Sequence, residues 1–149
     1  MKFHTTICIL FAGICISSCG VLRGAFCAEP CPYIASAPEI VLAQKDGVCG
    51  YAYAIFEFYN DTGLAVEAVS CSLRIYDEDN AQALNADNIV TACASAGVPA
   101  RSKKEVFISL DDVLYDEGAG TYTAERFYIS RIEYADGSVW EDTWGIHAR

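Results

Sequence analysis

The chain is poor in basic residues and in long apolar runs, and both shortages limit what it can bind. It has 10 Lys+Arg against 20 Asp+Glu in 149 residues, a formal net charge of −10. Phosphate backbones and anionic lipid headgroups both attract basic surfaces, so this composition argues against nucleic acid and against electrostatic adsorption to a membrane. Apart from one short run near the amino terminus, no apolar stretch approaches the roughly 20 residues of a membrane-spanning helix.

Catalytic motifs are also missing. The sequence contains no GxSxG, HExxH or glycine-rich phosphate loop. Of the two histidines, His4 lies in an amino-terminal leader, so a Ser-His or Cys-His pair would have to use His147. The adjacent acidic pairs Asp111-Asp112 and Glu141-Asp142 point to opposite faces of a strand and do not make a two-carboxylate site. We therefore expect no enzyme and no cofactor.

The acidic and sulfur-containing residues do not have metal-site spacing. Zinc sites need two CxxC or Cys/His pairs at fixed spacing, which the eight cysteines do not provide. The acidic run 77–80 suggests calcium, but an EF-hand loop would need Gly at Gln82 and Glu at Asn88. We expect no metal site.

Residues 1–18 have the pattern of a lipoprotein signal peptide. Lys2 is followed by an unbroken apolar run, Ile7–Ile16, which suits a signal-peptide core. The next stretch, ISSCG at 16–20, resembles a bacterial lipobox. That resemblance implies a diacylglycerol on the Cys19 thiol, cleavage just before it, acylation such as palmitate, and a membrane anchor. The alternative is ordinary cleavage after Ala28 to give a free secreted protein, although Phe26 fits that cut poorly.

Residues 19–37 read as the lipidated cysteine and a flexible tether, because prolines and small residues follow no period. Residues 38–149 read as the folded domain. After signal cleavage and lipidation five cysteines remain, and export permits disulfides whose pairing the sequence leaves open. These five are Cys27, Cys31, Cys49, Cys71 and Cys93.

The folded part is predicted to be all-β. Two long strands within 51–79 are joined by the turn Asn60-Asp61-Thr62-Gly63 and alternate with a period of two. The residues predicted to face inward are Ala52, Ala54, Phe56 and Phe58 in the first strand, and Val69, Cys71, Leu73 and Ile75 in the second. Further strands are predicted at 39–44, 88–96, 104–110, 126–135 and 138–143, with Asp111 capping a short helix. About seven strands at this spacing favour an antiparallel two-layer β-sandwich.

The last two of those strands flank Asp136-Gly137. This dipeptide is typical of a tight two-residue hairpin turn in which both residues take φ > 0. It is the clearest local turn signal in the chain.

Three segments carry a family resemblance. Asn60 ends one strand, Leu73-Arg74-Ile75-Tyr76-Asp77 ends the next, and Val98-Pro99-Ala100-Arg101 precedes a third. Together they resemble the FxLYD-type small immunoglobulin-like domain of bacterial envelope proteins. The resemblance implies an immunoglobulin-like β-sandwich with no catalytic residues. The stretch 129–146 is similar to that of small lipoproteins in host-associated spirochaetes.

These observations predict an envelope lipoprotein, anchored in the membrane through Cys19 on the periplasmic face or the cell surface. Its sandwich would be an interaction or accessory module for an envelope or host protein. One alternative is a module that binds sugar, peptide or an ion on an aromatic platform of Trp140, Trp144 and Tyr134. The other alternative is a host-facing adhesin or surface antigen.

Overall fold

The computed structural model describes residues 30–45, 48–83, 89–114 and 120–148. The predicted signal peptide, Cys19, Cys27 and the first part of the predicted tether lie outside the described residues. In chain order the elements are β1 (Tyr33–Ala35), β2 (Glu39–Lys45), β3 (Val48–Asn60), β4 (Val66–Tyr76), β5 (Val90–Val98), β6 (Lys103–Ser109), the helix α1 (Asp111–Leu114), β7 (Thr123–Tyr134) and β8 (Val139–Glu141). No helix in these ranges is long and apolar enough to cross a bilayer.

The strands form two antiparallel sheets. In the first sheet the long strand β3 pairs with β1 and β2 along one side and with β6 along the other. The second sheet has the order β5-β4-β7-β8. A sheet of two or more strands must cover its apolar face, and here each sheet covers the other. The predicted all-β, antiparallel two-layer sandwich is confirmed, with eight strands in the described residues where about seven were expected.

The core lies between the sheets and follows the predicted alternation. All eight residues expected to face inward from β3 and β4 are buried. The ring of Phe56 packs on that of Phe127 in β7 with centroids 4.8 Å apart. Full burial of one such large apolar side chain contributes about 1.5–3 kcal/mol, so these contacts are the main source of stability.

The sandwich begins earlier than the predicted boundary at residue 38. Tyr33–Ala35, placed in the tether by the sequence, forms β1 and pairs with the end of β3. The Tyr33 ring stacks on Phe58 at 5.7 Å, and its hydroxyl accepts a 3.1 Å hydrogen bond from the Ile129 N–H. That N–H lies beside a register shift between β4 and β7. A side chain of β1 therefore accepts a hydrogen bond from a backbone N–H group of the opposite sheet.

The turn at Asp136-Gly137 differs from the prediction. Only Gly137 has φ > 0, at 82°. The Gly137 N–H donates to the Tyr134 carbonyl at 2.9 Å, and the Tyr134 N–H donates to the Ser138 carbonyl at 3.0 Å. The loop therefore has three residues, with the left-handed residue last, rather than the predicted two.

Two smaller predictions also change. β5 continues to Val98 instead of ending at residue 96, and the Lys104 ammonium donates to the Ala96 carbonyl at 2.7 Å. Asp111 lies in the first turn of α1, but its carboxylate accepts the Ala52 N–H at 2.7 Å and the Ser109 hydroxyl at 2.9 Å. Asp111 therefore links α1 to β3 by a hydrogen bond instead of capping the helix.

Asn60 holds one end of the sandwich together. It is fully buried, and its amide Nδ2 donates to the carbonyls of Leu64 at 2.7 Å and Pro99 at 3.0 Å. Its Oδ1 accepts the N–H and the hydroxyl of Thr62 at 3.1 and 2.7 Å. This one side chain links the β3–β4 turn to the β5–β6 turn.

Candidate interaction surfaces

The predicted aromatic platform is not formed. Tyr134 is only 7% exposed. Burial raises its pKa, while its hydrogen bond with the Thr62 side chain lowers it in part. Trp140 is half-buried between the rings of Tyr33 and His147, each 5.6 Å away. Trp144 alone of the three is open to solvent, because Tyr134 and Trp140 complete the core.

His147 and Cys31 line one cleft of about 750 Å³, which also borders Arg126. The Cys31 thiol donates to the Tyr33 carbonyl at 3.2 Å, and the His147 ring packs on Trp140. Within the described residues no hydrogen bond joins the thiol to the imidazole, so the two do not form an activated pair. The same ranges contain no group of three His, Cys, Asp or Glu residues placed to hold a metal ion.

Three cysteines of the described residues differ in environment. Cys31, Cys71 and Cys93 carry free thiols. Cys71 is buried between the sheets, as its alternation predicted, and desolvation raises the pKa of its thiol to about 12. Cys93 is exposed on β5. Cys71 is therefore a core residue, while Cys93 is accessible to reagents.

The sequence did not single out an aromatic surface on the outer side of the first sheet. We call this surface the aromatic face and define it as Tyr51, Tyr53, Ile55 and Phe107. Tyr51 is 66% and Phe107 54% exposed. The Tyr53 and Phe107 rings lie 6.2 Å apart, and Ile55 is paired with Phe107 across β3 and β6. The sequence signal that could have revealed this surface was the presence of apolar residues on both faces of β3. In a strand with one solvated face, apolar residues should alternate with polar ones.

The aromatic face borders a shallow groove of about 430 Å³ whose other walls include Ser109 and Asp111. Both Asp111 oxygens already accept hydrogen bonds from within the fold. The groove therefore presents rings and aliphatic carbon, with its carboxylate engaged. Exposed aromatic groups on a rigid sheet are typical of protein-binding surfaces.

A second exposed apolar feature follows β8. We call it the apolar tail and define it as Trp144 and Ile146, which are 83% and 73% exposed. The buried carboxylate of Asp142 accepts the N–H groups of Ile146 and His147, each at 2.9 Å. Burial alone would raise the pKa of Asp142, but these donors outweigh it, and the pKa lies below the ordinary 3.8.

No protein-family model matches the chain, and no curated protein matches its sequence. Among solved structures, it is similar to a hypothetical protein from Peptoclostridium difficile 630, determined by X-ray crystallography at 1.85 Å. The TM-score is 0.52 with 8% identity over 77% of this chain and 88% of that chain. At this identity the likeness shows the fold alone.

Proposed function

We propose that the chain is a bacterial envelope lipoprotein, acylated at Cys19, with a non-catalytic β-sandwich that binds another protein through the aromatic face. The sequence features of residues 1–18, the lipobox resemblance at Cys19 and the resemblance to FxLYD-type domains support the anchor and the envelope setting. The exposed aromatic face carries the interaction part of the proposal.

The aromatic face has the chemistry of a protein-binding surface. Tyr51 and Phe107 expose more than half of their surface. The fold does not require aromatic residues at these outward positions of β3 and β6, where polar residues would also fit. Tyrosine is among the residues that most often dominate binding energy at interfaces, where one such side chain contributes on the order of 2 kcal/mol or more. β3 is hydrogen-bonded on both sides, so the rings are held on a rigid support before a partner arrives.

The three-ring sugar or peptide platform is not retained, because Tyr134 is buried and Trp140 is half-buried against the core. A host-facing role differs from the envelope role only in the origin of the partner. Protease treatment of intact cells separates the two, because only a surface-exposed domain would be removed.

The test is capture of partners from cells cross-linked in place. The double variant Tyr51→Ser/Phe107→Ser should recover at least about tenfold less of a specific partner, since about 1.4 kcal/mol corresponds to tenfold in affinity. The matched control is Ile34→Ser, which removes a side chain 65% exposed on β1 but outside the aromatic face. Equal recovery by wild type and double variant would overturn the interaction part. Mass spectrometry that finds Cys19 without acyl chains would overturn the lipoprotein part.

A further inference from the structure

We propose that the apolar tail is a second membrane contact: Trp144 and Ile146 insert at the headgroup boundary of the bilayer that holds Cys19. This inference rests on the proposed lipid anchor and adds a position for the sandwich on the membrane. The ligand is a phospholipid surface.

The backbone of the apolar tail is held by hydrogen bonds to the rest of the domain. Asp142 binds the backbone of Ile146 and His147, and its own N–H donates to the Ser130 carbonyl at 2.9 Å. The hydroxyl of Tyr128 donates to the Thr143 carbonyl at 3.2 Å. These bonds fix the backbone between them, so exposure of the two large apolar side chains is imposed by the fold.

Gly145, between the two side chains, adds a further constraint. It takes φ = +65°, and a Cβ at this position would lie 3.0 Å from the Tyr128 ring. The backbone there is pressed against β7 in a conformation that favours glycine. The backbone between Trp144 and Ile146 is therefore constrained, and both side chains are exposed.

The tail also lies on the side of the sandwich where the described chain begins. Pro30 and Cys31 line the same cleft as His147 and Ala148. Pro30 follows Cys19 by 11 positions, and a chain of that length spans at most about 40 Å when extended. A lipid anchor at Cys19 therefore keeps the start of the described chain, on this side of the sandwich, within about 40 Å of the bilayer.

The chemistry of this side suits a lipid interface. A tryptophan ring, apolar with one N–H donor, is enriched at the headgroup level of membranes, and isoleucine adds apolar area. Arg126 borders the cleft and makes no ion pair with any residue of the described ranges, so it is available to a lipid phosphate. The Asp142 carboxylate accepts hydrogen bonds from two backbone N–H groups, and Asp61 forms an ion pair with Arg101. Two of the carboxylates on this side are therefore already engaged within the fold.

The test uses tryptophan fluorescence of the full acylated chain, reconstituted in phosphatidylcholine vesicles with or without bromine near the headgroup end of the acyl chains. Bromine should quench most of the Trp144 emission. Trp144→Phe should abolish that loss while the Trp140 emission remains. The matched control is Trp144→Phe/Phe107→Trp, which moves an exposed tryptophan to the aromatic face and should not be quenched.

The outcomes separate the two proposals. An acylated chain whose emission bromine does not change overturns the membrane contact and leaves the lipid anchor standing. Equal quenching at positions 144 and 107 also overturns it, because contact would then be unspecific. A Trp144 shielded from an aqueous quencher only after envelope extract is added identifies a protein contact instead. A chain without acyl groups on Cys19 overturns the anchor, and the membrane contact with it.

Discussion

Replacing Asn60 with leucine should be among the most damaging single changes in this domain. Leucine has the same number and branching of side-chain heavy atoms, so the shape is largely kept while the hydrogen bonds are lost. Wild-type Asn60 donates to the carbonyls of Leu64 and Pro99 and accepts from the N–H and hydroxyl of Thr62. The change therefore isolates the polar contribution of one buried side chain to the joining of two turns.

The expected loss follows from the groups left without partners. A buried donor or acceptor that loses its partner costs about 1–3 kcal/mol. The Thr62 hydroxyl can still reach the Leu64 carbonyl at 3.1 Å, and the turn lies near solvent, so only part of this cost applies. We expect about 3 kcal/mol, a large share of the roughly 5–15 kcal/mol by which a domain is stable.

Urea denaturation followed by tryptophan fluorescence measures this loss. With a slope of about 1.5–2 kcal/mol per molar, the midpoint should fall by roughly 1.5–2 M. The matched control is Asp61→Ala in the same turn, which breaks the exposed ion pair with Arg101. Exposed pairs contribute only about 0–1 kcal/mol, so its midpoint should barely move. A loss for Asn60→Leu no larger than that of the control would refute the reasoning.

Three further predictions concern single groups. Tyr33→Phe keeps the ring but leaves the Ile129 N–H unpaired, so it should lower the free energy of unfolding by about 1–3 kcal/mol; an unchanged urea midpoint would mean that water replaces the hydroxyl. Iodoacetamide at pH 8 should alkylate exposed Cys93 in the native protein and buried Cys71 only after denaturation, as mass spectrometry would show; native labelling of Cys71 would contradict its burial. The folded-state pKa of Asp142 lies below its ordinary 3.8, so its stabilising effect is fully present above that pH and is lost as pH falls through the lower value. An NMR titration should show the two amides bonded to this carboxylate shifting only below pH 3.8. A transition above pH 3.8 would mean that the fold raises the pKa of Asp142 instead of lowering it.

The alternation in β3 and β4 made their inward faces predictable. Buried and outward positions differ in residue type along both strands, and a period of two has only two registers. That is why all eight inward residues were placed correctly from sequence. β1 could not be found in the same way. It has three residues next to prolines, and it is stabilised by a hydrogen bond that the Tyr33 hydroxyl accepts from the backbone N–H of a residue 96 positions away. No local pattern encodes such a contact.

The inward position of Trp140, one of the two reasons that the aromatic platform fails, follows from the length of the β7–β8 loop. A two-residue loop at Asp136-Gly137 would place Trp140 opposite Glu133, on the outer face of the second sheet. The observed three-residue loop places Trp140 opposite Ile132, on the core side. Because side chains alternate, this slip of one residue moves Trp140 from solvent to the core. Residue type identified Trp140 as notable, but the turn geometry decided that it faces the core side.

Two exposed apolar features on one small domain would favour self-association unless something opposed it. The net charge of −10 supplies long-range repulsion between copies. The aromatic face lies on the outer side of the first sheet, while the apolar tail lies beside β7 of the second sheet. In the proposed arrangement the tail and the lipidated cysteine therefore hold one side of the sandwich at the bilayer, and the aromatic face stays accessible to a protein. Removal of Trp144 and Ile146 should then loosen the orientation of the domain without weakening partner binding, whereas removal of Tyr51 and Phe107 should do the reverse.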